Sequence, residues 1–573
     1  MARDRSVPRN FFLNERHELK PTEKPGGGGH PNIGTINWTN RVVGLKKGFA
    51  RARGAVELSK DPGSQHRFFL TATPAHIPRF RERAGKREDF DEKADFRASR
   101  SADLSRLGLD LLAIADDGRA LVHAPAARFS VLERTAANLV EEPERARNRW
   151  LALEDIDVPD WSWRVDGDWF AGLPKDATDC IVGLAPVLTR AEAESVISAV
   201  FEGYLKGHGV LAAGTDYSGR SWWRAKIARS TVELIATAFP SVQLIHPPYS
   251  TRMAAQIGAD VPADKTPTAG PAPASGSLPV VGIVDCGVSE SHPVLSPYRV
   301  GRWRSQGAVQ PGFEHHAAKV ATRVVFGRID PGPRALVGDC AFFDIATGMK
   351  PAQGTWAAQI DDKDILTSMA GALGTAVALR TFVCAFDTSP VDLLPKSERE
   401  EKLRLVRDLD NFIATNDVIV VVSAGNVAPE VAPQSPYPRH FDDPNRQLGP
   451  WASAHNTLTC GGFLGSDDES KISPFVEAPS PFTRVGPGFA KATAVPDAAD
   501  HAGGDLGGVI VLDDTGKWKN TAGTSYSAPL LAREAARSFI ALARHCPAGA
   551  ALKCASKGPS GTNSEAPRPR SRD

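Results

Sequence analysis

From residue 280 onward the chain alternates short apolar runs with amphipathic stretches, and this rhythm constrains its fold more than any other feature. Segments 280–285 (VVGIVD), 340–345 (CAFFDI), 417–423 (DVIVVVS), 457–462 (TLTCGG) and 508–512 (GVIVL) are strand-sized. The runs at 280–285 and 417–423 lack the apolar–polar alternation of a half-exposed strand, so these two read as strands buried on both faces. Helical patterns lie between them, from His316 to Phe326, over 365–379, and after the capping pair Ser397 and Glu400, where Leu405, Leu409 and Phe412 recur on one face. Strands that alternate with helices specify a parallel sheet covered on both sides. The fold class is therefore α/β.

A smaller module precedes this region. Residues 179–187 (DCIVGLAPV) read as a strand, and Thr189 with Glu192 caps a helix that presents Val196, Ile197, Val200 and Phe201 on one face. A loop with Gly214 and Gly219, an amphipathic stretch over 227–239 and a strand at 242–245 complete it. The expected organisation is an extended lead-in at 1–60 and an N-terminal region at 61–259 holding the module at 179–247. A Pro/Ala/Gly linker at 260–279 separates these from the main domain at 280–545, and a disordered tail covers 546–573. Residues 26–29 are a glycine hinge without the GK[ST] of a phosphate loop, and 79–100 read as a solvated helix or loop of mixed charge.

Bulk properties exclude several classes. At 573 residues the chain needs more than one core, and 42% hydrophobic with 24% charged residues suits a soluble globular protein. A formal net charge of +1 gives no field for nucleic acid or an anionic membrane, and no apolar run has the length of a membrane span. The first residues lack a signal-peptide core. Seven scattered cysteines show neither metal spacing nor a disulfide framework, so no metal is expected and a cytoplasmic home is.

Three reactive residues stand where strands end or helices begin. Asp285 closes the run VVGIVD, at the sheet edge where open α/β folds place their sites. His316 lies in the first turn of a helix, and Ser525 follows Gly523-Thr524 at the start of an Ala-rich helix, whose positive end favours developing negative charge. Singly, each has an ordinary reading: a turn aspartate, a structural histidine, an N-cap serine. Together they are read as a candidate catalytic set.

The segments around them resemble those of subtilisin-like serine proteases (subtilases, the peptidase S8 family). GTSYSAP resembles the serine box GTSxAxP; VVGIVDCGV followed by His292-Pro293-Val294-Leu295 resembles the aspartate box; VVVSAGN resembles the segment that supplies an oxyanion asparagine, here Asn426. TLTCGG and SPFTRVGPG are weaker echoes. The resemblance implies a subtilisin-like three-layer fold with a mostly parallel sheet, preceded by the small α/β module. It also implies a serine endopeptidase: Ser525 attacks a peptide carbonyl, His316 moves the proton, Asp285 orients His316, and Asn426 with the Ser525 N–H binds the oxyanion.

Two segments depart from the family pattern. The histidine box HGTxVA here reads His316-Ala317-Ala318-Lys319-Val320-Ala321. The substrate-binding strand NxSxG reads VCAFD, with Ala385 and Asp387 replacing serine and glycine. These changes support an alternative, a catalytically impaired regulatory or interaction protein on the same fold. Cys286 reads as a small buried hydrophobe and His315 as a solvated neighbour. Protein or peptide substrates are implied. Residues 10–19 (NFFLNERHEL) resemble the opening of bacterial cytosolic subtilases often encoded beside an AAA-type ATPase, which makes such an ATPase an expected partner. No cofactor is expected; structural calcium occurs in secreted relatives, but no ligand set maps onto this chain.

Overall fold

The computed structural model describes residues 30–31, 36–83, 86–93, 101–114, 118–165, 167–205, 211–215, 220–253, 257–263, 267–270, 278–305, 315–349, 359–375, 379–387, 394, 396–427, 437, 439–471, 476–486 and 497–545. The glycine hinge at 26–29, the segment 10–19 and the tail 546–573 lie outside them. The chain divides into two compact units between Pro248 and Tyr249.

The C-terminal unit is built on seven parallel strands: β1 (Val280–Asp285), β2 (Arg299–Arg304), β3 (Ala341–Ala346), β4 (Thr381–Cys384), β5 (Ile419–Ser423), β6 (Leu458–Phe463) and β7 (Ala498–His501). Their order is β2-β3-β1-β4-β5-β6-β7, and every pairing is parallel. The chain leaves β1 towards one side of the sheet and later fills the other, so the strand order reverses at β1. The carboxyl ends of β1 and β4 thus open the crevice in which such sheets hold ligands.

Four helices complete three layers. Helices α1 (His315–Phe326) and α4 (Ala528–His545) pack on each other and on β1. Helices α2 (Asp362–Leu373) and α3 (Lys396–Asn416) pack together, α2 against β2 and β3. Phe382 of β4 meets Phe412 of α3 edge to face, with ring centroids 6.1 Å apart. Val281, Ile283, Phe342, Val420 and Val421 are fully buried between the layers. Each such side chain contributes about 1.5–3 kcal/mol. The hairpin of β8 (Val509–Leu512) and β9 (Trp518–Ala522) then leads directly to Ser525.

The N-terminal unit has two cores. In the first, the helix Trp38–Leu58 packs on an antiparallel sheet ordered Asp110–Ile114, Ala120–Pro125, Arg67–Pro74, Leu153–Asp157. Gly48 permits the approach, because a Cβ there would lie 1.7 Å from the Ile156 carbonyl oxygen. In the second, helices Arg190–Tyr204 and Arg229–Ala238 cover a sheet ordered Val242–His246, Thr178–Leu184, Ser221–Ile227, Ala212–Thr215. The Thr189–Glu192 capping box is formed on both sides.

Several expectations need correction. The lead-in is not extended throughout, since Trp38–Leu58 is a helix whose buried Trp38, Val42, Leu45 and Phe49 follow helical spacing. The glycine-containing loop of the module includes two strands, because Trp223, Ala225 and Ile227 alternate inward. Part of 79–100 forms a hairpin, His76–Arg83 with Lys86–Lys93, whose register sets Arg81 opposite Glu88 and Glu82 opposite Arg87. The linker is not free: Ile257–Pro262 pairs with β9, and Thr268–Ala269 pairs with Ala335–Leu336. Its alanines and glycines disguise strands that borrow their order from a partner.

Candidate active site

Strand β1 is apolar up to its last residue, and Asp285 emerges there with no solvent exposure. A buried carboxylate must be bonded to persist. Asp285 Oδ1 accepts the Cys286 N–H at 2.7 Å, and Oδ2 accepts from His316 Nδ1 at 2.8 Å. The Asp285 carbonyl takes the Thr347 N–H at 2.8 Å, which fixes the strand end. Donation from Nδ1 leaves His316 Nε2 as an acceptor. That atom is buried and has no partner among the described residues.

Ser525 arrives from the other end of the fold. Strand β9 ends at Ala522, Gly523 turns the chain with φ 150°, and Thr524–Tyr526 form a single 3₁₀ turn before α4. That positive φ suits a residue without a Cβ. Ser525 is 2% exposed, and its Oγ also has no partner among the described residues. Helix α1 packs against this turn, and the His316 ring lies 6.1 Å from the Tyr526 ring, centroid to centroid. One buried acceptor and one buried hydroxyl are thus left unsatisfied on adjoining elements. A buried polar group without a partner costs about 1–3 kcal/mol, and a catalytic role is one of the reasons for which folded proteins keep one.

Asn426 follows β5 and is buried. Its Oδ1 accepts both the Thr524 N–H at 2.9 Å and the Thr524 hydroxyl at 2.8 Å. A backbone N–H can only donate, so the amide oxygen must face Thr524, and the NH₂ turns towards Gly523. Nδ2 lies 3.3 Å from where a Cβ on residue 523 would stand. The arrangement presents a donor beside the serine turn.

The remaining candidates fall elsewhere. Ala385 is buried. Asp387 belongs to the short strand Phe386–Asp387, whose backbone pairs antiparallel with the chain's own Ser250–Met253. The edge expected to receive a substrate is therefore occupied in this structure, with Arg252 opposite Asp387. His315 is exposed but not simply solvated, since its Nδ1 lies 2.7 Å from Asp514 Oδ1. Cys286 is buried, and burial together with the Asp285 carboxylate raises its pKa well above the usual thiol range, which leaves it unreactive. Thr347 and Thr524 escaped the sequence reading, although the serine box contains Thr524. Among the described residues no group of three or more His, Cys, Asp or Glu side chains is disposed to hold a metal. No described helix is long and apolar enough to cross a membrane.

No protein-family model matches the chain. A curated relative, the uncharacterized protein y4bN of Sinorhizobium fredii, is 31% identical over 119 residues, which are 18% of this chain and 26% of the relative. The chain thus spans about a quarter of that relative's length. Similar solved structures include the epidermin leader peptide processing serine protease of Staphylococcus aureus, at 13% identity and TM-score 0.37, over 64% of this chain and 89% of that one. The prenylagaramide maturation protease PagA matches at 15% identity and TM-score 0.28, over 45% of this chain and 73% of its own. A psychrophilic protease matches at 15% and 0.31, over 51% and 83%. The expected membership of the subtilase family is corrected, because no protein-family model matches the chain. The family assignment is withdrawn. What remains is a three-layer α/β fold and the geometry described above.

Proposed function

We propose that this chain is a serine endopeptidase. One observation carries the reading: Asp285 holds His316 through Nδ1 at 2.8 Å, while His316 Nε2 and Ser525 Oγ are both buried and have no partner among the described residues. In the proposed reaction, Ser525 Oγ attacks a peptide carbonyl carbon as its proton passes to His316 Nε2. Asp285 stabilises the imidazolium. The Asn426 amide and the Ser525 N–H receive the oxyanion, and His316 then protonates the leaving amine. Water repeats the cycle to release the acyl group. The ladder at Phe386–Asp387 supports a peptide substrate, because it already accepts an extended segment between itself and Gln359–Asp361. Five described cysteines are free and buried, which supports a reducing, cytoplasmic setting.

A fluorophosphonate probe tests the reading, because it reacts only with an activated serine. The parent chain is expected to label at Ser525 and to hydrolyse casein. Ser525→Ala is expected to do neither while melting at the parental temperature. A parent that neither labels nor cleaves, or a Ser525→Ala chain that cleaves at the parental rate, overturns it.

A further inference from the structure

We infer that Arg323 is a positioning residue that sets the register between helix α1, which carries His316, and the turn that carries Ser525; the inference rests on the endopeptidase reading. Arg323 lies seven residues after His316 in α1. Seven residues are almost two helical turns, so both side chains leave the same face of the helix. Arg323 is completely buried. Its Nε–H donates to the Tyr526 carbonyl at 3.2 Å, and an Nη2–H donates to the His501 carbonyl at 3.2 Å. Tyr526 directly follows Ser525, and His501 ends β7. One rigid fork therefore ties the histidine helix to the nucleophile turn and to the sheet.

Burial of a guanidinium is costly, and apolar residues of similar size often serve a core better. Burial pushes the Arg323 pKa down only to about 10, so the group stays charged at neutral pH. The charges of Asp500 and Glu469 oppose that shift. What the fork supplies and an apolar side chain does not is a fixed direction to two carbonyls on separate segments. The sequence alone hides this, because an arginine within an Ala/Val-rich helix ordinarily reads as a solvent-facing residue. Helix α1 does not depend on the fork for attachment. The Thr322 hydroxyl accepts the Leu512 N–H at 3.1 Å, and α1 also packs on α4. Loss of Arg323 should therefore leave the helix in place but free to shift against Ser525.

Misplacement of reacting groups by about 1 Å costs about 100-fold in rate. Arg323→Met is expected to lower kcat at least about tenfold on a fixed peptide. KM should stay within about twofold, because the groups that hold the peptide backbone are untouched. Arg323→Lys keeps the charge but only a single flexible donor, and it should fall between the two, about threefold below the parent. Both are measured well below their melting temperatures, so that a purely structural role would leave kcat at the parental value in the folded fraction. Parental kcat in folded Arg323→Met, or a loss confined to KM, overturns the inference. If Arg323→Met does not fold, Arg323→Lys decides: a reduced kcat with unchanged KM supports the brace, and parental kcat overturns it. A parent without Ser525-dependent hydrolysis would instead remove the endopeptidase reading, and this inference with it.

Discussion

The N–H and the hydroxyl of Thr524 both reach Asn426 Oδ1, at 2.9 and 2.8 Å, and together they decide which end of that amide faces the serine turn. Thr524→Val keeps the shape and the N–H bond but removes the hydroxyl bond. The net worth of such a bond is about 1 kcal/mol, or about a fivefold change in rate if it is felt only in the transition state. We expect kcat to fall by about that factor with KM unchanged, in steady-state kinetics on one peptide. Parental kcat would mean that the N–H alone orients the amide. At this scale the candidate residues could be picked out because Asp285, His316 and Ser525 stand at element ends, and the structure sets His316 against Asp285 and packs the His316 helix on the turn that carries Ser525. Their supports could not be picked out. Thr347 and Arg323 make their contacts with residues distant in the chain, and nothing in their local sequence distinguishes them from ordinary helix or strand-end residues.

Among the elements, the segment Ser250–Met253 bears most directly on the proposed activity. It is an inner strand, paired with Gln359–Asp361 on one side and with Phe386–Asp387 on the other. In such a strand each N–H points to one neighbour or the other, so a proline at any position removes a ladder bond. Arg252→Pro is therefore expected to loosen the segment and to expose the Phe386–Asp387 edge. Fluorophosphonate labelling of Ser525 and cleavage of an added peptide should both rise, by roughly the tenfold that loss of about 1.4 kcal/mol of pairing allows. Unchanged or slower rates for both would show that this strand does not limit access. Central strands such as β1 and β5 were readable from their continuous apolar runs. The edge strand β2 (RVGRWR) and the paired pieces of the Pro/Ala/Gly stretch were not, since their partners, rather than their composition, make them strands.

Across the whole molecule, histidines that both units hold in buried places contribute to the acid sensitivity of the fold. Burial lowers the pKa of His123 in the N-terminal unit, and of His292, His440 and His501 in the C-terminal unit. The geometry of His292 shows why protonation is resisted. Its Nε2–H donates to the Asp513 carbonyl at 2.8 Å, and its Nδ1 accepts the N–H groups of Val294 and Leu295 at 3.2 and 3.1 Å. A proton on Nδ1 would abolish both acceptor bonds and place a charge in a site that is 1% exposed. The folded pKa thus lies below the unfolded value of about 6.5. Below that pH the unfolded chain binds more protons than the folded one, so stability is present above about 6.5 and is lost as pH falls through the folded value. Asp155, Asp344 and Asp364, which burial pushes upward, act in the opposite sense, so a single-site variant is needed to isolate the histidine contribution. His292→Asn supplies one, because an asparagine oxygen can accept the same two N–H groups without taking up a proton. The parent is expected to melt at a lower temperature at pH 5.5 than at pH 7.5. In His292→Asn that difference should narrow, even if the variant is less stable at pH 7.5. An equal pH dependence in both proteins would show that His292 is not among the groups that unfold this chain in acid.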